Sequence, residues 1–290
     1  MSIPKKTGFV KSFDGLNVYY ESRGEGKPLF LCYGVACLMN HWRHQINYFS
    51  QHYQVITFDY RGHHQTPIPE NRDNLTFDAI AQDIKAIADH LKLPAASFFS
   101  HSFGAQVVIR AFDMYPELFS SLVLINGFTK NPIQKMFGGD WADIAFQLFK
   151  QGYGKLPETI KYVWKNLINN KISMQLSAMA GGFNLNLTSF KDIEVYARGV
   201  ASMDLDVFIA FFEQMMAYDA TPVLDRINIP TLIIAGEKDN VTPKHFQDLL
   251  HKKIKGSQFL MVPLGSHCTQ LDLPDLVNLR IEKFLKEIDY

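Results

Sequence analysis

One serine in this sequence, Ser102, stands in surroundings that suit a nucleophile. It is the central residue of SHSFG (100–104), between a short apolar run at 96–99 and a segment with helical periodicity at 105–112. Small residues two positions to each side allow a strand to turn sharply into a helix, so that the serine hydroxyl projects above the sheet. The positive end of that helix would stabilise an anionic intermediate. The pattern alone is weak evidence for a nucleophile, since about one chance match is expected in a chain of this length. Its position between a predicted strand and a predicted helix makes it informative.

Two further residues of the right type follow apolar runs later in the chain. Asp239 ends the sequence TLIIAGEKD (231–239), and His267 ends PLGSH (263–267). A serine hydroxyl is a poor nucleophile at neutral pH, so a histidine must accept its proton and a carboxylate must orient that histidine. Ser102 is therefore the candidate nucleophile, and Asp239 and His267 are candidates for the carboxylate and the base. Taken singly, an exposed loop aspartate and one of ten ordinary histidines are the alternatives.

The elements that would position these residues alternate between strand and helix. Short continuous apolar runs bounded by turn residues are typical of parallel strands buried on both faces. They lie at 29–33, 54–58, 96–99, 122–125, 231–235 and 258–262. An N-terminal hairpin is predicted over 8–22, turning at Asp14 and Gly15. The pattern predicts an α/β fold with a mostly parallel sheet and helices on both faces.

The alternation breaks once, between about residues 128 and 218. This stretch has no convincing strand and offers helical segments at 136–150, 157–169, 172–180 and 205–217, rich in aromatic residues and methionine. We interpret it as a helical cap, residues 128–218, inserted into a core formed by 1–127 and 219–290. The alternative is that these helices simply cover the sheet, which would require far fewer residues.

These motifs, in this order, resemble the α/β-hydrolase superfamily over nearly the whole chain. The resemblance implies that Asp239 is the acid and His267 the base of a triad with Ser102. It also implies an oxyanion hole formed by the backbone N–H groups of Phe103 and Val35. The sequence departs from the usual family pattern at three places: Ser100 replaces the first glycine of the elbow, Tyr33 replaces a histidine before Gly34, and DYRGHHQT (59–66) replaces Asp-x-Arg-Gly-x-Gly-x-Ser.

The nucleophile narrows the chemistry that the resemblance implies. Related dehalogenases and epoxide hydrolases use an aspartate at the elbow, so Ser102 argues against both and favours acyl transfer. We predict a carboxylesterase acting on a small, largely apolar ester. The alternatives are a carbon–carbon bond hydrolase or lactonase with the same triad, a ligand-binding receptor with little turnover, and, more rarely, a cofactor-free oxygenase.

Four side chains are predicted to contact the substrate: Tyr33, His101, Trp141 and Phe211. For Tyr33, the sequence favours a structural role in its loop over a hydroxyl that reaches the substrate. The apolar residues of the cap suggest an apolar pocket, although most of them would form the core of the cap itself. They are Phe137, Trp141, Phe146, Phe149, Tyr153, Trp164, Met174, Met179, Phe183, Phe208, Phe211, Phe212 and Met215.

Composition limits the partners. The 29 basic and 29 acidic residues balance, which gives no sign of binding to nucleic acid or to an anionic membrane. Cys32, Cys37 and Cys268 form neither a disulfide framework nor a zinc motif, and the adjacent His63 and His64 lack a carboxylate cluster that would complete a metal site. Without a signal peptide or an apolar run of membrane-spanning length, we predict a cytoplasmic protein without metal or cofactor, acting on a small molecule as a monomer or homodimer.

Overall fold

The computed structural model describes residues 3–133, 141–168 and 182–290. Its strands form one eight-stranded sheet in the order β1-β2-β4-β3-β5-β6-β7-β8. They are β1 (Lys5–Lys11), β2 (Asn17–Arg23), β3 (Pro28–Cys32), β4 (Gln54–Phe58), β5 (Ala96–His101), β6 (Phe119–Ile125), β7 (Thr231–Gly236) and β8 (Gln258–Val262). The first two strands form a hairpin, β2 pairs antiparallel with β4, and all other pairs are parallel. The predicted mostly parallel sheet is confirmed.

Helices connect the strands. They are α1 (Arg43–Phe49), α2 (Phe77–His90), α3 (Phe103–Met114), α4 (Trp141–Lys155), α5 (Pro157–Ile168), α6 (Phe190–Ser202), α7 (Leu205–Ala217), α8 (Thr221–Leu224), α9 (His245–Lys253), α10 (Thr269–Asp272) and α11 (Pro274–Glu287). None of the helices in the described ranges is long and apolar enough to cross a membrane.

Local sequence explains why the elements near the site form where they do. Thr76 caps α2, since its side-chain oxygen accepts a hydrogen bond from the N–H of Ala79,. The helix then buries one apolar stripe, which includes Ile80, Ile84 and Ile87,. Strands β3, β5 and β7 are buried along their whole length, as expected for parallel strands covered on both faces. The loops that follow these three strands carry Val35, Ser102 and Asp239.

Between β6 and β7, the described residues form helices α4 to α8 and no strand. Four side chains from α4 and α7 form a small apolar cluster separate from the main core: Phe146, Tyr153, Leu205 and Ile209. Helix α7 also contributes Val207, Phe211 and Met215 to the main core, so it joins the insertion to the sheet. The division into a core and a cap over 128–218 remains our interpretation of this arrangement.

Some of the helices predicted in the insertion agree with the structure and others do not. The segments expected at 157–169 and 205–217 agree with α5 and α7, whereas the helix expected at 136–150 is observed as Trp141–Lys155. Helix α6 was not predicted. The helix expected at 172–180, and with it Met174 and Met179, lies outside the described residues, as does Phe137.

Candidate active site

The turn between β5 and α3 carries Ser102. Its backbone has φ 54° and ψ −122°. Residues other than glycine adopt this sparsely populated conformation only when the surrounding structure imposes it. The departure at Ser100 is accommodated, because this side chain is fully buried and its hydroxyl donates to the carbonyl oxygen of Val123 on β6, at 3.4 Å. The sharp turn expected from the sequence is thus present without the first glycine.

A continuous chain of hydrogen bonds links Ser102, His267 and Asp239. The Oγ of Ser102 lies 2.9 Å from Nε2 of His267, and the Nδ1 of His267 lies 3.0 Å from Oδ2 of Asp239. The three side chains follow β5, β8 and β7 and meet at the carboxyl edge of the sheet, where ligands bind in open α/β sheets. Only 9% of Ser102, 9% of His267 and 5% of Asp239 is exposed. The arrangement can transfer a proton from the serine to the histidine.

The carboxylate of Asp239 is held by its own loop. Oδ1 accepts hydrogen bonds from the N–H groups of Val241 at 2.9 Å and Thr242 at 2.8 Å, while Oδ2 accepts from the hydroxyl of Thr242 at 2.7 Å. That hydroxyl oxygen also lies 3.2 Å from Nδ1 of His267. Our sequence reasoning missed Thr242. The tendency of aspartate to bond the backbone two residues on and form a turn indicates the bond to Val241, but it does not indicate the hydroxyl of Thr242.

The loop after β3 holds the second predicted oxyanion donor, the N–H of Val35. Among the hydrogen bonds of the described residues, none uses this N–H. The other predicted donor, the N–H of Phe103, belongs to the first residue of α3 and has no partner within the helix,. Both groups therefore remain available to a substrate oxygen.

Two histidines form hydrogen bonds with the backbone of this loop. The Nε2 of His63 accepts from the N–H of Ala36 at 3.4 Å, and the ring of His64 donates from Nε2 to the carbonyl oxygen of Cys37 at 2.8 Å. Burial lowers the pKa of His63 to about 3, so its ring stays neutral and keeps the lone pair that Ala36 requires. His63 and His64 thus hold the backbone of the loop that follows Val35.

The comparisons with known proteins agree with this architecture. A sequence model of the alpha/beta hydrolase fold family matches residues 27–274. The chain belongs to this family. It is 26% identical, over 94% of its length, to epoxide hydrolase 4 of Mus musculus, 77% of which is covered. It is 27% identical, over 86% of its length, to 3-oxoadipate enol-lactonase 2 of Acinetobacter baylyi, 84% of which is covered.

A solved structure gives the same fold. An esterase from Exiguobacterium antarcticum aligns with a TM-score of 0.76 at 20% identity, covering 97% of this chain and 100% of that one. At this identity the likeness shows the fold alone. The predicted fold class and the predicted resemblance are both confirmed.

In this alpha/beta hydrolase, Tyr33 does not present its hydroxyl to a substrate. The side chain is fully buried, and its hydroxyl donates to Oδ1 of Asp59 at 3.3 Å and accepts from the N–H of Tyr60 at 3.1 Å. The substrate contact expected for this residue is therefore corrected. Tyr33 supports its loop, which is the role that the sequence favoured.

His101 is also corrected from a substrate contact to a neighbour of the candidate base. Its Nε2 lies 2.8 Å from the backbone carbonyl oxygen of His267, and only 2% of the residue is exposed. The ring lies between those of His41 and His267, with centroid distances of 4.7 and 4.8 Å. It belongs to the packing behind His267.

The other two predicted substrate contacts lie in the insertion of this alpha/beta hydrolase. Phe211 is fully buried and packs edge-on against Phe103, with ring centroids 5.8 Å apart, and against His63 at 5.6 Å. Its contact with a substrate stays a prediction. Trp141 begins α4, and its side chain lies outside what the structure describes.

One group among the described residues of this hydrolase has metal-ligand side chains close together. Candidate ligand atoms of His41, His101 and Cys268 all lie within 4.8 Å of one another, and the three residues are buried. Burial raises the pKa of the Cys268 thiol well above its usual value, which opposes the thiolate that a metal needs. The group is better explained as packing around His267.

Proposed function

We propose that this protein is a serine hydrolase that cleaves a small, largely apolar carboxylic ester through an acyl-enzyme on Ser102. The observation that carries the proposal is the unbroken hydrogen-bond chain from Ser102 through His267 to Asp239, with distances of 2.9 and 3.0 Å. Nucleophile, base and orienting carboxylate in this order are the combination that acyl transfer requires.

In the proposed reaction, Nε2 of His267 takes the proton of Ser102 as Oγ attacks the ester carbonyl carbon. The N–H groups of Phe103 and Val35 stabilise the oxyanion that forms. Collapse of this intermediate breaks the bond to the alcohol oxygen, which receives the proton from His267. Water, deprotonated by the same imidazole, then attacks the acyl carbon. The bond to Oγ breaks, Oγ takes the proton back from His267, and the carboxylic acid leaves. Asp239 stabilises the imidazolium that forms in each half of the cycle.

The identity of the nucleophile supports acyl transfer over epoxide opening, although three relatives are named epoxide hydrolases. A carboxylate that opens an epoxide forms an ester, which water can hydrolyse at its carbonyl. The hydroxyl of Ser102 would form an ether, which has no carbonyl carbon for water to attack. The enzyme would then remain alkylated after one cycle.

A lactone is the second candidate substrate class. It is a cyclic ester and needs the same proton transfers, and one relative of this chain is named an enol-lactonase. The two classes differ in the first product, because ring opening leaves the alcohol attached to the acyl group. The zero net charge of the chain gives no sign of a strongly charged substrate in either case.

The test is turnover of p-nitrophenyl esters of increasing acyl length, together with labelling by a fluorophosphonate probe. We expect wild-type protein to do both, and Ser102→Ala to lose labelling and ~10³-fold or more of kcat. Ser257→Ala is the matched control, because its hydroxyl is bonded to the surface residue His251 at 2.9 Å. A simple γ-lactone assayed in parallel distinguishes the two ester classes.

The other outcomes identify the competing functions. Labelling without turnover of esters or lactones would favour a carbon–carbon bond hydrolase or a receptor. A receptor would additionally be stabilised against unfolding by a ligand that it does not convert. Folded wild-type protein that neither turns over nor labels would reject the serine mechanism.

A further inference from the structure

The backbone carbonyl oxygen of His267 accepts two buried side-chain donors from neighbouring strand ends. Nδ2 of Asn126, the residue after β6, lies 2.6 Å away, and Nε2 of His101, the last residue of β5, lies 2.8 Å away. In the sheet β7 separates both of these strands from β8, which precedes His267. Both donors therefore reach across the sheet edge to the loop that carries the candidate base.

Asn126 also reaches the loop of the candidate acid. Its Oδ1 accepts from the N–H of Gly236 at 2.7 Å, at the end of β7. This bond fixes which way the amide points, because only the oxygen can accept. Its Nδ2 is consequently directed at the loop of His267, where the carbonyl oxygen of Ser266 and Oγ1 of Thr269 each lie 3.0 Å away. One fully buried side chain thus connects both loops.

The backbone of Asn126 adds a further connection. Its φ of 46° lies in the left-handed region, which asparagine tolerates better than most residues. In this conformation its carbonyl oxygen lies 3.0 Å from the hydroxyl of Thr242, the group that bridges Asp239 and His267. Asn126 therefore contacts the backbone of His267 directly, and it is linked to Asp239 through the hydroxyl of Thr242.

His101 complements this arrangement as a neutral donor. A carbonyl oxygen can only accept, so Nε2 of His101 carries the hydrogen and Nδ1 has the lone pair. Burial, reinforced by His41 and His267, lowers the pKa of His101 well below its usual value. A neutral ring can lie beside that of His267, with the ring centroids 4.8 Å apart, without repelling the imidazolium that the proposed reaction forms there.

We propose that Asn126 and His101 are positioning residues, which hold the imidazole of His267 in line with Ser102 by fixing the His267 backbone carbonyl. This inference rests on the proposed function, in which His267 is the base. The backbone position decides where Nε2 can lie, and a displacement of about 1 Å at a reacting group can reduce a rate by ~10²-fold. Neither residue contacts the substrate.

The test compares kcat and KM for variants that keep or remove each donor. His101→Leu removes the donor, whereas His101→Gln replaces it with an amide N–H. We expect ~10- to 100-fold lower kcat for His101→Leu with KM within about twofold, and recovery of most of kcat in His101→Gln. Asn126→Asp keeps the shape but loses both N–H donors, and should lower kcat by about 100-fold.

The matched control is Gln247→Glu. Gln247 is also buried and donates its amide N–H to the carbonyl oxygen of Gly127 at 2.9 Å, one residue beyond Asn126. Both amide variants should lose stability, but only Asn126→Asp should lose kcat when each protein is assayed below its own unfolding transition.

Two results would overturn the inference in different ways. If wild-type protein is active and Asn126→Asp and His101→Leu keep wild-type kcat, the positioning role is rejected and the proposed function stands. If folded wild-type protein neither turns over esters nor labels with fluorophosphonate, the proposed function fails and this inference fails with it.

Discussion

Gly104 lies directly against the backbone at the end of β3, next to Cys32. A Cβ added to Gly104 would lie 2.8 Å from the carbonyl oxygen of Tyr33 and closer still to that of Cys32. These neighbours are backbone atoms of a buried strand and cannot move aside cheaply. The contact brings the first turn of α3 close to the loop that contains Val35, so both predicted oxyanion donors depend on it.

Gly104→Ala is therefore expected to destabilise the protein by about 2 kcal/mol or more, through overpacking. The matched control is Gly154→Ala in α4, where no atom of the described residues, other than the neighbouring helix backbone, lies within 4 Å of the added Cβ. In that helix, alanine should stabilise by about 0.5–1 kcal/mol. Urea unfolding midpoints measure both changes, and equal midpoints for Gly104→Ala and wild type would contradict the close packing.

Asp239 and Thr242 should affect rate more than binding. Asp239→Asn removes the charge that stabilises the His267 imidazolium and allows the wrong tautomer, and should lower kcat by ~10⁴-fold. Thr242→Val removes the hydroxyl that lies between Asp239 and His267 and should cost about 10-fold, as expected for one neutral hydrogen bond. Steady-state kinetics with a p-nitrophenyl ester measures both.

Asp248→Asn serves as the control for the change from carboxylate to amide, since Asp248 pairs with Lys244 at the surface. A wild-type kcat in Asp239→Asn would remove this carboxylate from the mechanism.

The buried ion pair between Arg61 and Asp83 should be important for stability. Both side chains are fully buried, and the guanidinium binds both carboxylate oxygens, at 2.6 and 2.9 Å. Arg61→Met would leave Asp83 as an uncompensated buried charge and should cost about 3–5 kcal/mol. Replacing both residues, as Arg61→Met with Asp83→Leu, should recover part of that loss.

An exposed ion pair provides the contrast. Lys85 and Asp89 are four residues apart on α2 and exposed to solvent, so Lys85→Met should change the free energy of unfolding by less than about 0.5 kcal/mol. Denaturant unfolding measures all these variants. If Arg61→Met cost no more than Lys85→Met, the buried pair would have no special role.

Acid should destabilise the protein partly through His63. Burial lowers its pKa from 6.5 to about 3 in the folded state, whereas the unfolded chain regains the ordinary value. Between these limits the unfolded state binds more protons, so the free energy of unfolding rises with pH and falls on acidification. His63→Gln can still accept from Ala36 but does not titrate, and should make this dependence shallower.

Urea unfolding at several pH values within that interval tests the prediction. The substitution also changes the absolute stability, so the quantity to compare is the slope of the free energy of unfolding against pH. His52→Gln, a substitution at the surface, controls for the loss of an imidazole. An unchanged slope in His63→Gln would mean that this ring does not titrate differently on folding.

The sequence by itself determined the elements and the candidate chemistry. Periodicity located the central strands and α2, because burial on two faces or on one stripe leaves a local pattern. Ser102, Asp239 and His267 could be selected together because each follows a strand, and parallel strands end at the same edge of the sheet. Helix α6 was not predicted, because Ser189 was not recognised as its N-cap.

Only the tertiary structure decided what surrounds these residues. His101 meets the carbonyl of His267 across 166 positions of sequence, and Asn126 meets it across 141. Tyr33 likewise directs its hydroxyl to Asp59 rather than towards a substrate. Such contacts depend on the order of strands and on how closely they pack. A local sequence pattern reports the type and burial of a side chain, but not the distant atom that satisfies its hydrogen bond.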